Sequence, residues 1–130
     1  MPRKFDPETL YAAHGKYHNA VEVGPGERLV FSSGIIGCLP DGSLPPTAEA
    51  QMAQAWKNVG AFLEGCGMGP ENLVRLKMHL TSADMIAVSK AARIAALGEH
   101  MNAAVTGVIV ELFDPDLVIE IDVVAAGPAV

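Results

Sequence analysis

The chain has 130 residues, 50% apolar, 18% charged and 5% aromatic, with 9 Lys and Arg against 15 Asp and Glu and a formal net charge of −6. That supports one domain over residues 1–130 with a substantial core, and it leaves no uncharged apolar run long enough to span a bilayer. Nucleic acid is disfavoured as a partner, because phosphate contacts need clustered cations and base stacking needs aromatic faces.

The opening MPRKFDPETLY lacks the apolar core of a secretory signal, so a cytoplasmic protein is expected. Residues 1–15 hold turn formers and little pattern, with Phe5 and Leu10 available to pin the arm to the body. Tyr17–Val23 reads as a strand, Gly24-Pro25-Gly26-Glu27 as a turn and Leu29–Ile36 as a second strand. Ser32, Ser33 and Gly34 interrupt that second strand. They read either as a packing glycine beside serines satisfied by the ladder, or as a bulge whose Ser33-Gly34 lines a pocket. Cys38 is a small buried hydrophobe in this reading. With Cys66 it makes two cysteines, too few for a disulfide framework and without metal-spaced neighbours.

Thr47 caps a helix on which Met52, Ala55, Trp56, Val59, Phe62, Leu63 and Cys66 fall at three- and four-residue steps, ending near Gly65–Gly69. In Leu73–Thr81, Val74, Leu76, Met78 and Leu80 alternate with Arg75, Lys77, His79 and Thr81, which predicts a half-buried strand with a polar face. A second helix runs from about Met85 to Gly98, with Lys90 and Arg93 off its apolar stripe.

Two β-branched strands follow, Ala104–Phe113 and Leu117–Val124, joined as a hairpin by Asp114-Pro115-Asp116. Val108, Ile109 and Val110, then Leu117, Val118 and Ile119, put apolar residues on both parities, so both faces are expected to be covered. Glu120 interrupts this run between Ile119 and Ile121, with Asp122 on the same face. Either that face meets water at a sheet edge, or Glu120 is a partly desolvated carboxylate and the first candidate for chemistry.

The order strand, strand, helix, strand, helix, strand, strand predicts an α+β domain, with a mixed sheet of about six strands and two helices packed on one face. The other face has no helix to cover it and is expected to bury itself against further copies of the chain.

The chain resembles the RidA family, also called the YjgF or L-PSP family. The resemblance rests on Gly15-Lys16-Tyr17 for a Gly-Pro-Tyr-Ser entry, Leu29–Gly34 for a strand ending in Ser-Gly-Gln, Gln51, Asn58, Leu63 and Gly67 along the first helix, and Val118–Ala125 as closing strand. It implies a homotrimer with small-molecule pockets at subunit interfaces and hydrolytic deamination of enamines and imines without metal or cofactor. It also implies Glu120 working with a water, and Tyr17, Ser33 and Gly34 shaping the pocket. The pattern departs at one place: where the family has Pro-Ala-Arg-Ser this chain has Ala103-Ala104-Val105-Thr106, so Val105 stands at the carboxylate-holding arginine.

Two further positions differ, Ile35 after Ser33-Gly34 and Ser89 where an asparagine is common. Loss of a bidentate contact leaves three readings: another cation (Lys16, Arg75, Lys77 or Arg93) substitutes, the substrate lacks a carboxylate, or the pocket binds without turnover. An endoribonuclease using His18, His79 or His100 ranks below these, given the acidic charge.

Overall fold

Thr47 takes an extended backbone after Pro45-Pro46, and its hydroxyl accepts from the Ala50 N–H at 3.1 Å. A cap of this kind is worth about 1 kcal/mol. In the computed structural model, which describes residues 1–15, 17–99 and 103–129, helix α1 runs from there over Ala48–Gly65. Met52, Ala55, Trp56, Val59 and Leu63 form its buried stripe, as their spacing predicts, while Phe62 and Cys66 lie half-buried beside it. The helix stops where Gly67 adopts φ +71° and the Met68 N–H turns back to the Leu63 carbonyl. Helix α2, Ile86–Leu97, follows a short 3-10 turn capped by the Ser82 hydroxyl. The two helices join through the buried Trp56 indole N–H, which donates to the Ser89 hydroxyl at 3.1 Å.

Six strands accompany them: β1 Arg3–Phe5, β2 Ala20–Glu22, β3 Arg28–Phe31, β4 Leu73–Leu80, β5 Ala104–Ile109 and β6 Ile119–Gly127. Strands β3, β6, β4 and β5 lie side by side in that order, with β4 and β5 parallel and the other pairs antiparallel; β1 and β2 form an antiparallel ribbon. The fold is α+β, with two helices packed on mixed sheet, as expected from the pattern.

Several elements differ from expectation: β2 begins at Ala20 rather than Tyr17, and β3 ends at Phe31 rather than Ile36. Arg3–Phe5 is a strand, too short to show a period, and it is tied to β2 by Arg3, whose guanidinium meets Glu22 at 3.1 Å and stacks 4.2 Å from the centre of the Phe5 ring in its own strand. The last two strands are not a hairpin: β4 lies between them, and β5 ends at Ile109 rather than Phe113. A parallel neighbour needs a crossover, and α2 supplies it between β4 and β5. The central place of β6 accounts for the apolar run that a hairpin did not.

The face of the sheet toward the helices carries Ile119, Ile121 and Val123 of β6 and Leu76, Met78 and Leu80 of β4, in one core with Trp56 and Met52. Burial of each such side chain stabilises the fold by roughly 1.5–3 kcal/mol. On the opposite face Arg75, Lys77 and His79 of β4 stand opposite Val124, Asp122 and Glu120 of β6. At its β3 edge Leu29 and Phe31 are 47% and 68% exposed.

Candidate active site

Beyond Phe31 the pairing of β3 with β6 changes. The Ser32 N–H donates to the Val123 carbonyl and the Val123 N–H donates to the Ser32 hydroxyl, both at 2.9 Å. Regular pairing resumes at Ile35 with Ile121, through bonds of 2.8 and 2.9 Å. Three steps from Ser32 to Ile35 thus oppose two from Val123 to Ile121, which is a β-bulge with one extra residue. The bulge brings Gly34 against Glu120: a Cβ built at Gly34 would lie 2.5 Å from the Glu120 carboxyl carbon. Of the two readings of Gly34, the bulge is the one observed. The side-chain space that glycine leaves empty holds the Glu120 carboxylate.

His79 is the cross-strand partner of Glu120, and its Nδ1 lies 3.0 Å from the Glu120 backbone oxygen. A carbonyl only accepts, so Nδ1 carries a proton and donates it to this bond, which fixes the orientation of the ring. One same-face step along each strand, Lys77 pairs with Asp122. Arg75 lies one step further, its guanidinium donating to the Thr106 hydroxyl at 3.1 Å. A cleft of about 400 Å³ on this face is lined by Ser33, Gly34, Arg75, Lys77, Asp122 and Val124 among others. Carboxylates, cations and an imidazole therefore share one open face beside unblocked backbone.

A family model described as Endoribonuclease L-PSP matches residues 8–127. The chain belongs to this family, the RidA/YjgF family. Solved structures agree over nearly the whole chain. A conserved Rid family protein of unknown function, YyfB from Yersinia pestis, has a TM-score of 0.77 at 26% identity, covering 97% of this chain and 98% of that one. RidA from the Antarctic bacterium Psychrobacter sp. PAMC 21119 has 0.68 at 28%, covering 95% and 98%. The YjgF gene product of E. coli has 0.67 at 28%, covering 95% and 97%. A curated RutC family protein of Aquifex aeolicus (strain VF5) is 40% identical over 68 residues, 52% of each chain, so the match spans about half of that relative's length.

In this RidA/YjgF chain the expected site residues fall into two groups. Glu120, Ser33 and Gly34 meet on the open face. Tyr17 and Val105 do not join them. Val105 pairs with the buried Leu76 in the β4–β5 register and packs against the core, so it sits on the helix side of the sheet, and its successor Thr106 is the residue on the open face. The His18 N–H donates to the Ala103 carbonyl at 3.3 Å, laying the Tyr17 segment along the start of β5. The Tyr17 ring packs against the same core and its hydroxyl accepts from the His14 N–H at 3.3 Å.

The candidate cations separate in the same way. Arg93 lies in α2, in the helix layer, where burial lowers its pKa; among the described candidates Arg75 and Lys77 share the face of Glu120. Lys16 and His100 lie outside the described residues. His18 belongs to the arm, its Nδ1 donating to the Asp6 carboxylate at 3.3 Å. That carboxyl is held below its usual value chiefly by the Asn19 N–H, 2.7 Å away, and further by His18.

Ser89 is committed to Trp56. Among the described residues no three His, Cys, Asp or Glu side chains gather as a metal-binding group, and no helix is long and apolar enough to cross a membrane. Sequence reasoning saw the polar side of β4 but not its relation to Glu120. The signal was the alternation of Arg75, Lys77 and His79; the strand order that sets them opposite β6 has no local signature.

Proposed function

We propose that the protein hydrolyses small imines and enamines to the oxo compound and ammonia, with Glu120 as the group that handles water. The observation that carries this reading is the placement of the Glu120 carboxylate against the bare backbone of Gly34, on an open face beside His79. Membership of the RidA/YjgF family is consistent with it. An enamine first tautomerises to the imine, whose carbon is already electrophilic. Water adds to the carbon of the protonated imine while Glu120 takes one of its protons, giving a neutral carbinolamine. Glu120 returns that proton to the nitrogen and then takes the hydroxyl proton as the C–N bond breaks, so that ammonia leaves and the carbonyl forms. The site's contribution is orientation of water and substrate together with one well-placed base.

The two groups of site residues fit a pocket between copies. Glu120 and Gly34 of one copy would face the β5 edge of a neighbour, where Tyr17 and Val105 lie. A homotrimer, as the resemblance implies, closes three such pockets, and the exposed Leu29 and Phe31 supply apolar surface for the contact. A second reading, binding of a small metabolite without turnover, is favoured by one observation: an apolar Val105 where the family holds an arginine.

Ammonia release under single-turnover conditions, from imines generated in situ by an amino-acid oxidase, separates the two. Wild type is expected to accelerate release and Glu120→Gln to lose about a hundredfold, as for removal of a general base. No acceleration by wild type would sink the hydrolase reading and leave the binding one, whereas a Glu120→Gln variant as fast as an active wild type would remove Glu120 from the role of base.

A further inference from the structure

We infer that the cleft beside Glu120 is an anion site built from β4 and the β3 bulge, and that it takes the carboxylate of the protein's small substrate. The inference rests on the hydrolase reading for its substrate, but its geometry is independent of turnover. Arg75 and Lys77 both line the cleft, and among the described residues neither has a carboxylate within ion-pair distance. The Thr106 hydroxyl fixes the Arg75 guanidinium from the neighbouring strand. The bulge adds a second kind of donor: among the described residues the N–H groups of Ser33 and Gly34 make no hydrogen bond within the chain, and both residues are exposed at the cleft. Side-chain cations together with free backbone N–H groups at an irregular turn of chain are what an oxyanion requires.

Spacing decides which ligand fits. Same-face residues on a strand stand about 7 Å apart, so Lys77 is one step and Arg75 two steps from the His79–Glu120 pair. Both side chains are long enough to lean back along the strand. In a 2-imino acid the carboxylate is bonded directly to the reacting carbon, so a carboxylate held near Lys77 puts that carbon within reach of a water on Glu120. The contact given up at Val105, on the helix side, is thereby supplied from the open face. Asp122, opposite Lys77, opposes the ligand's charge and makes the site weaker than the two cations alone would.

The probe is pyruvate, a small 2-oxo acid that needs no turnover, titrated into the full chain by NMR beside neutral acetone and inorganic phosphate. Pyruvate is expected to bind, acetone not to, and the double variant Arg75→Gln/Lys77→Gln to weaken pyruvate binding by about tenfold or more, with unfolding temperature checked. Asp122→Asn is expected to tighten it severalfold, a gain that misfolding cannot mimic. Equal binding of acetone and pyruvate, unchanged affinity in a folded double variant, or loss of affinity in Asp122→Asn each overturns the proposal. So does phosphate displacing pyruvate at lower concentration than pyruvate itself binds, which would make the cleft a phosphate site. Should pyruvate bind as described while no imine is turned over, the anion site stands and the hydrolase reading fails. Should anionic and neutral imines be hydrolysed equally by wild type and double variant, the reverse holds.

Discussion

Gly34 and Gly37 look alike in the sequence, three residues apart in one irregular stretch, yet a methyl group at each would meet different obstacles. At Gly34 it meets the carboxyl end of the Glu120 side chain, which can swing away. At Gly37, which is buried, it meets the backbone carbonyl of Gln51 in the first turn of α1, which cannot. Gly34→Ala is therefore expected to fold with stability within about 1 kcal/mol of wild type but to lose ammonia release nearly as far as Glu120→Gln. Gly37→Ala is expected to lose several kcal/mol in urea unfolding. Near-equal unfolding midpoints for the two would remove the distinction. Glu120 was legible from sequence because a carboxylate between two isoleucines is conspicuous; its contact with Gly34 was not, since a glycine records only that room is needed and never for what.

At the scale of elements, Gln51 of α1 is buried and its amide does two jobs. Its Nε2 donates to the Asp116 carbonyl at 2.9 Å and its Oε1 accepts from the Val118 N–H at 2.6 Å, pinning the β5–β6 connection to the helix. Gln51→Leu keeps the volume but leaves both backbone groups without a partner, at a cost of about 2–4 kcal/mol for the pair. The Val118 amide is expected to exchange faster with solvent than its neighbours in β6; uniform exchange along the strand would argue that the connection holds itself. The helices and β4 could be read from period alone because their partners are the core as a whole. The pairing of β5 and β6 could not, because a short turn sequence such as Asp114-Pro115-Asp116 signals a change of direction and leaves the next neighbour open. Gln51 shows the same limit, its partners lying 65 and 67 residues away.

At the scale of the molecule, the uncovered sheet face expected from the helix count is present. It is less apolar than the strand sequences led one to expect, because the polar sides of β4 and β6 meet there, while Leu29 and Phe31 mark its edge. Phe31, at 68% exposure, adds little to the core of one copy. Phe31→Glu is expected to leave thermal unfolding of the monomer nearly unchanged while shifting sedimentation toward single chains, and ammonia release should fall with it if the pockets lie between copies. Retention of the proposed trimer by this variant would place the contact elsewhere.

The central position of β6 also bears on how the protein comes to be folded. In chain order it follows every other strand, yet it lies between β3 and β4 and is the hydrogen-bonding neighbour of both. A ribosome delivering the chain from its amino end produces β3, α1, β4, α2 and β5 before the strand that joins β3 to the rest. The β4–α2–β5 unit has a strand pairing within itself, but β3 and its bulge must wait for a partner made roughly ninety residues later. Pairings so distant in sequence form slowly. The site around Glu120 is thus among the last parts of the molecule to exist.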